Sequence, residues 1–117
     1  MYLDAYNANP TSMKAAISNF ENNIINNKIL ILGDMFELGN YSSKEHQKII
    51  DFIDKKDYLK VYLVGENFFD CQTQSKYFEK FKSTEEMSKS VKLIDFNLTN
   101  ILIKGSRGIG LEKLIKD

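Results

Sequence analysis

Ile29-Leu30-Ile31-Leu32 is an unbroken apolar run, alternately β-branched and leucine, bounded by Lys28 and by Gly33-Asp34. A run this short and this uniformly apolar reads as a strand buried on both faces of a parallel sheet. Val61-Tyr62-Leu63-Val64 and Ile101-Leu102-Ile103 repeat the pattern further along. Between these runs the apolar residues change period. Met13, Ala16, Ile17, Phe20 and Ile24 follow Pro10 at helical spacing; His46, Ile49, Ile50 and Ile53 form a second stripe, Met87, Val91 and Ile94 a third, and Leu111, Leu114 and Ile115 a fourth. Strands alternating with helices need crossover connections, which predicts an α/β fold: a mostly parallel sheet of about five to six strands with helices on both faces.

Local signals sharpen the boundaries. Pro10 suits the first helical position, and Asn9 before it can cap the open amides of the first turn. Asn22, Asn23, Asn26 and Asn27 end that helix. Ser42 with Glu45, and Ser83 with Glu86, have the spacing of capping boxes. A short helix is expected over residues 67–74 and an edge strand over 77–81.

At 117 residues the chain, 1–117, makes one domain with one core. Sixteen basic residues balance sixteen acidic ones and 43% of the chain is hydrophobic, which argues against disorder and against a nucleic-acid footprint. One cysteine, Cys71, excludes an internal disulfide, and with a single histidine, His46, it cannot furnish a zinc site. No metal site is expected. Neither a signal peptide nor a membrane span is legible, so a cytosolic protein is expected. Met1 stands almost on the polar end of the first strand, which suggests a preceding part further upstream.

Parallel strands point their carboxyl ends one way, so polar segments that follow strands gather on one rim, where open α/β sheets hold ligands. Three such segments stand out. Asp4-Ala5-Tyr6-Asn7-Ala8-Asn9-Pro10 brings a carboxylate, a phenol and amides to a strand-to-helix turn. In Gly33-Asp34-Met35-Phe36-Glu37-Leu38-Gly39, Asp34 and Glu37 can accept bonds from a ribose hydroxyl or an ammonium, or Asp34 can simply cap the turn. Lys104-Gly105-Ser106-Arg107-Gly108-Ile109-Gly110 joins a glycine-rich turn to cationic side chains, an arrangement that can hold a phosphate or carboxylate. Its spacing is neither that of the phosphate loop nor that of the dinucleotide fingerprint.

Together these three segments, with Thr11-Ser12-Met13 after the first, His46 after the second, and Val64-Gly65-Glu66 between, resemble the C-terminal domain of the Mur ligases over almost the whole chain. The first segment is similar to that of the branch acting on UDP-N-acetylmuramoyl-tripeptide and D-alanyl-D-alanine. The stretch from Phe68 to Asn100 matches only in the order of its elements.

The resemblance implies a Rossmann-like domain that closes over a site shared with a UDP-sugar domain and a central ATP-binding domain, both absent here. It implies a reaction in which ATP phosphorylates the tripeptide's terminal carboxylate and the D-Ala-D-Ala amine attacks the acyl phosphate, with ATP and Mg2+ held mainly by the central domain. ATP- and substrate-binding residues would be Asp4, Tyr6, Asn7, Asn9, Asp34, Lys104, Ser106 and Arg107. The first four would face the ribose, the phosphate side and the incoming amine; Asp34 and the turn from Lys104 to Arg107 would lie toward D-Ala-D-Ala. No phosphate loop, modified lysine or hinge arginine of the family is present, so no catalytic residue is expected in the chain alone, no tightly bound cofactor, and no turnover by itself. The partners implied are UDP-MurNAc-tripeptide, D-Ala-D-Ala and the remaining domains of a monomeric bacterial ligase.

Two other readings use the same elements. A receiver-like signalling domain would place a phosphoacceptor carboxylate, such as Asp34, on the rim with Lys104 after the last strand, but lacks the acidic pair. A free-standing nucleotide-binding module would need a phosphate fingerprint. His46 on an apolar stripe is expected in the core rather than as the base of a Cys71 thiol catalyst, and Tyr58, Tyr62, Phe68, Phe69, Tyr77 and Phe78 read as packing.

Overall fold

The computed structural model describes residues 2–4, 9–24, 26–91 and 100–105. Its elements follow the chain as β1 (Tyr2–Asp4), α1 (Pro10–Asn23), β2 (Lys28–Gly33), a 3-10 turn (Gly39–Tyr41), α2 (Ser42–Ile53), β3 (Lys60–Val64), α3 (Glu66–Phe69), β4 (Phe78–Phe81), α4 (Thr84–Ser90) and β5 (Asn100–Lys104). The strands form one five-stranded sheet in the order β1-β5-β2-β3-β4, and every adjacent pair is parallel. A receiver's order, 2-1-3-4-5, puts the first strand inside the sheet. Among the described residues β1 lies at the edge, beside β5 rather than β2, which argues against that reading.

The apolar run that suggested a doubly covered strand is one. Side chains alternate across a strand, so Leu30 and Leu32 pack with Met13, Ile17, Ile49, Ile53 and Phe68 on the face covered by α1, α2 and α3. Ile29 and Ile31 enter a second cluster with Val64, Phe81, Ile103 and Met87 of α4. Helices therefore cover both faces. The expected final helix, with Leu111, Leu114 and Ile115, lies outside the described residues.

The start of α1 matches its sequence signals. Asn9 is its N-cap: the side-chain oxygen accepts from the Ser12 amide at 2.9 Å, and the Ser12 hydroxyl accepts from the Asn9 amide at 3.1 Å. Ser12 here does what Glu or Gln does in the usual capping box. Ser83 caps α4 by accepting from the Glu86 amide, while Glu86 reaches back to the Lys82 amide rather than to that of Ser83.

The capping box expected from Ser42 and Glu45 does not form. The 3-10 turn over Gly39–Tyr41 runs straight into α2, so Ser42 already has helical angles and its amide bonds Gly39. Its hydroxyl is left for a different partner. The short helix expected over 67–74 is a single turn, α3, and the edge strand is β4, one residue shorter than expected.

Candidate functional site

Registration of the strands defines the rim. Asp4 pairs with Lys104, Lys104 with Leu32, Gly33 with Val64, and Val64 with Phe81. The carboxyl ends of all five strands thus lie along one edge, and the three polar segments follow β1, β2 and β5. Asp4 ends β1 there. Tyr6, Asn7, Ser106 and Arg107 lie outside the described residues.

Asn9 and Glu37 meet across an open groove of about 830 Å³ between the N-terminus of α1 and the β2–α2 loop, with Thr11, Ser12, Tyr41 and Glu45 also on its walls. Tyr41 carries no signal of its own in sequence, and Glu45 was marked only as a capping residue; both arrive with their elements. Glu37 has φ 64° and Gly39 φ 58°. A left-handed glutamate is costly by about 1 kcal/mol and persists only when its surroundings hold it.

Asp34 is buried and turned inward rather than toward the groove. One carboxylate oxygen accepts from the Asn67 backbone amide and the Asn67 side-chain amide, both at 2.9 Å, and the other from the Phe68 amide at 3.0 Å. A carboxylate at the first turn of α3 satisfies open helix amides from a neighbouring loop. Gly65 makes room for it: a Cβ there would sit 2.3 Å from the Asp34 carboxyl carbon, and φ is +123°. The capping alternative for Asp34 thus holds, with α3 rather than its own turn as the capped element. Asn67, which closes this contact, had no mark in the sequence beyond following Val64-Gly65-Glu66.

Lys104 is also buried, only 1% exposed, at the end of β5 between Asp4 and Leu32 in register. Its backbone reaches the rim while the residue itself is buried.

His46 is fully buried and packs edge-on against Phe68, with ring centroids 4.7 Å apart. Its Nε2 accepts from the Met35 amide at 2.9 Å, and Nδ1 lies 2.7 Å from the Ser42 carbonyl, to which it donates. Those partners fix the Nδ1–H tautomer. Both nitrogens are thereby used, and neither activates Cys71, whose thiol donates to the Asn67 carbonyl and is pushed up to about 11 chiefly by burial, with Lys80 opposing and Asp34, Asp70 and Asp51 reinforcing. Among the described residues no group of three or more His, Cys, Asp or Glu can hold a metal ion, and no helix is long and apolar enough to cross a membrane.

An all-parallel sheet flanked by helices, with β1, β2 and β5 ending on one edge, makes this a Rossmann-like α/β domain. The family model for "Mur ligase, glutamate ligase domain" matches residues 1–107, and the chain belongs to that family. It is 36% identical over 115 residues to UDP-N-acetylmuramoyl-tripeptide--D-alanyl-D-alanine ligase of Rickettsia prowazekii, covering 96% of this chain and 26% of that protein. The enzyme of the same name from Bacillus subtilis is 36% identical over 121 residues, covering 97% and 26%. A crystal structure of MurF from Acinetobacter baumannii superposes with a TM-score of 0.81 at 28% identity, over 96% of this chain and 25% of that one. The chain therefore spans about a quarter of the length of the relatives it matches.

Proposed function

We propose that this chain is the closing domain of an ATP-dependent ligase that joins D-Ala-D-Ala to UDP-MurNAc-tripeptide in the bacterial cytoplasm, a step in making peptidoglycan precursors. The observation that carries the reading is the agreement between relatives of that name and a sheet edge at which β1, β2 and β5 end together. A domain that supplies one wall of a cleft suits a reaction whose catalysis is positioning and charge stabilisation.

In this reading Asp4, Tyr6, Asn7 and Asn9 approach the nucleotide and the incoming amine, while Ser106 and Arg107 bind toward the dipeptide. Asp34 serves by holding the β2 loop to α3, and Lys104 by placing positive charge under the rim. The described carboxylates form no cluster that fits Mg2+. The metal and the ATP phosphates belong mainly to the rest of the ligase, where Mg2+ would neutralise phosphate charge.

The test is ADP release by the complete ligase in the presence of both substrates, with Asn7→Ala as the probe. Loss of at least a hundredfold in turnover supports the reading; normal turnover in that variant sinks the assignment of the loop. Calorimetric titration of this chain alone with ATP should show weak or undetectable binding, and tight binding would favour a free-standing nucleotide module instead.

A further inference from the structure

His46 belongs to a closed chain of hydrogen bonds that neither core packing nor the proposed chemistry requires. Met35 N–H donates to His46 Nε2 at 2.9 Å, and His46 Nδ1–H donates to the Ser42 carbonyl at 2.7 Å. The Ser42 hydroxyl donates to the Asn67 side-chain oxygen at 3.0 Å. Asn67 donates twice to Asp34, the residue next to Met35, and the circuit closes. Three separate elements, the β2 loop, α2 and α3, are tied at one point.

The circuit ends where the groove begins. Immediately after Met35 come Phe36, Glu37 and Leu38, and Glu37 holds its left-handed backbone between this anchor and Gly39. Glu37, Leu38, Tyr41 and Glu45 form the groove wall opposite Asn9 and Ser12. An apolar residue of similar volume at position 46 would fill the space but leave the buried Met35 amide without this acceptor. Burying two polar nitrogens there costs desolvation that a hydrocarbon would not, so the histidine's distinct contribution is direction.

We propose that His46 is a positioning residue: through the Met35–His46–Ser42–Asn67–Asp34 circuit it sets the β2–α2 loop so that the groove wall is preformed for the amine substrate. This rests on the reading of the chain as the closing domain of a D-Ala-D-Ala-adding ligase. The amine is the ligand concerned because the loop side of the groove carries the Glu37 carboxylate, with Glu45 beside it paired to Lys48 at 3.4 Å, and the described lining itself includes no Lys or Arg. The neutral Nδ1–H tautomer is the working form, since only it accepts from Met35 and donates to Ser42 together. Asp34, 3.9 Å from Nε2, is the charged group facing the ring.

The experiment compares His46→Phe, which keeps the edge contact with Phe68 but not the two hydrogen bonds, with His46→Gln, which keeps one donor and one acceptor. Ser42→Ala breaks the circuit with little change in packing and covers the case in which His46→Phe fails to fold. In the complete ligase His46→Phe should raise KM for D-Ala-D-Ala about tenfold with kcat within about threefold, Ser42→Ala should move it the same way by less, and His46→Gln should recover most of the loss. Amides 35–39 should exchange hydrogen at least about tenfold faster in His46→Phe while those of β2 keep their rates. A fall in kcat that follows the folded fraction, with KM unchanged, overturns the proposal, as does loop exchange that stays at the wild-type rate. A wild-type ligase that makes no ADP with these substrates refutes the functional reading instead, and hydrogen exchange then decides the circuit on its own.

Discussion

Removing the Asp34 carboxylate should cost more than any other single change at the rim. In Asp34→Ala, the Phe68 amide and both Asn67 donors lose an ionised acceptor at 2.9–3.0 Å. Phe68 is fully buried and Asp34 only 2% exposed, so water restores these bonds poorly. Bonds to charged groups contribute about 1.5–3 kcal/mol each, and a stranded buried donor costs about 1–3 kcal/mol. Against this stands relief from burying a charge, worth several kcal/mol. The net expectation is a loss of about 3 kcal/mol.

For a domain of this size that corresponds to a Tm lower by about 12 °C, or a urea midpoint lower by about 2 M at an unchanged slope. Asp34→Asn should lose nearly as much. Its NH2 group has to face either Phe68 N–H or the Asn67 pair, setting donor against donor. Urea denaturation followed by far-ultraviolet circular dichroism measures both variants. A loss below about 1 kcal/mol in Asp34→Ala would show that the carboxylate does not anchor α3, and that it is available to a ligand after all.

Three further outcomes follow from the same contacts. Asn9→Ala should destabilise by about 1 kcal/mol through the lost cap, and Asn9→Asp, which retains an acceptor, should recover most of it in the same denaturation assay; equal losses would mean the cap is not the cause. The Cys71 thiol, pushed up to about 11 first by burial, should react with a disulfide reagent at pH 8 about a hundredfold slower in the folded chain than in urea, and comparable rates would refute its burial. Tyr58, whose hydroxyl donates to Glu21, is held well above the ordinary phenol range by burial first and then by Glu21. Because the folded value is the raised one, its contribution is complete below the unfolded value of about 10 and is lost as pH rises beyond it, by at most about 1.4 kcal/mol per pH unit. Tyr58→Phe should flatten that alkaline decline, and identical slopes in both proteins would remove Tyr58 as its cause.

The strands buried on both faces were legible because their pattern is local: Ile29 and Ile31 go one way, Leu30 and Leu32 the other, and no polar residue interrupts them. The half-buried β4 was harder to bound because Phe78, Glu79 and Lys80 alternate weakly and, among the described residues, their strand has a neighbour on one side only. The rim itself followed from parallel strand order. What sequence could not show was how the rim's polar groups are spent. Asp34 and Asn67 lie 33 residues apart, and their contact exists only because β2 and β3 are paired in one register. Ser42 carried a capping signal that the preceding 3-10 turn made redundant. His46 was legible as a core residue, but its two hydrogen-bond partners depend on where the β2 loop returns to α2.

The strand order also governs how the domain is born. Among the described residues β1 pairs with β5 alone, Tyr2 against Leu102, and β5 is wedged between β1 and β2. As the polypeptide leaves the ribosome, β2, β3 and β4 can pair early, while β1 waits about a hundred residues for β5. Loop closure over that distance makes its docking a late event. β1 therefore docks only when the sheet is otherwise complete, and chains cut short before residue 100 should give pulse-labelled β2 and β3 amides protection without any in β1. Early protection of β1 in such nascent chains would contradict this order of assembly.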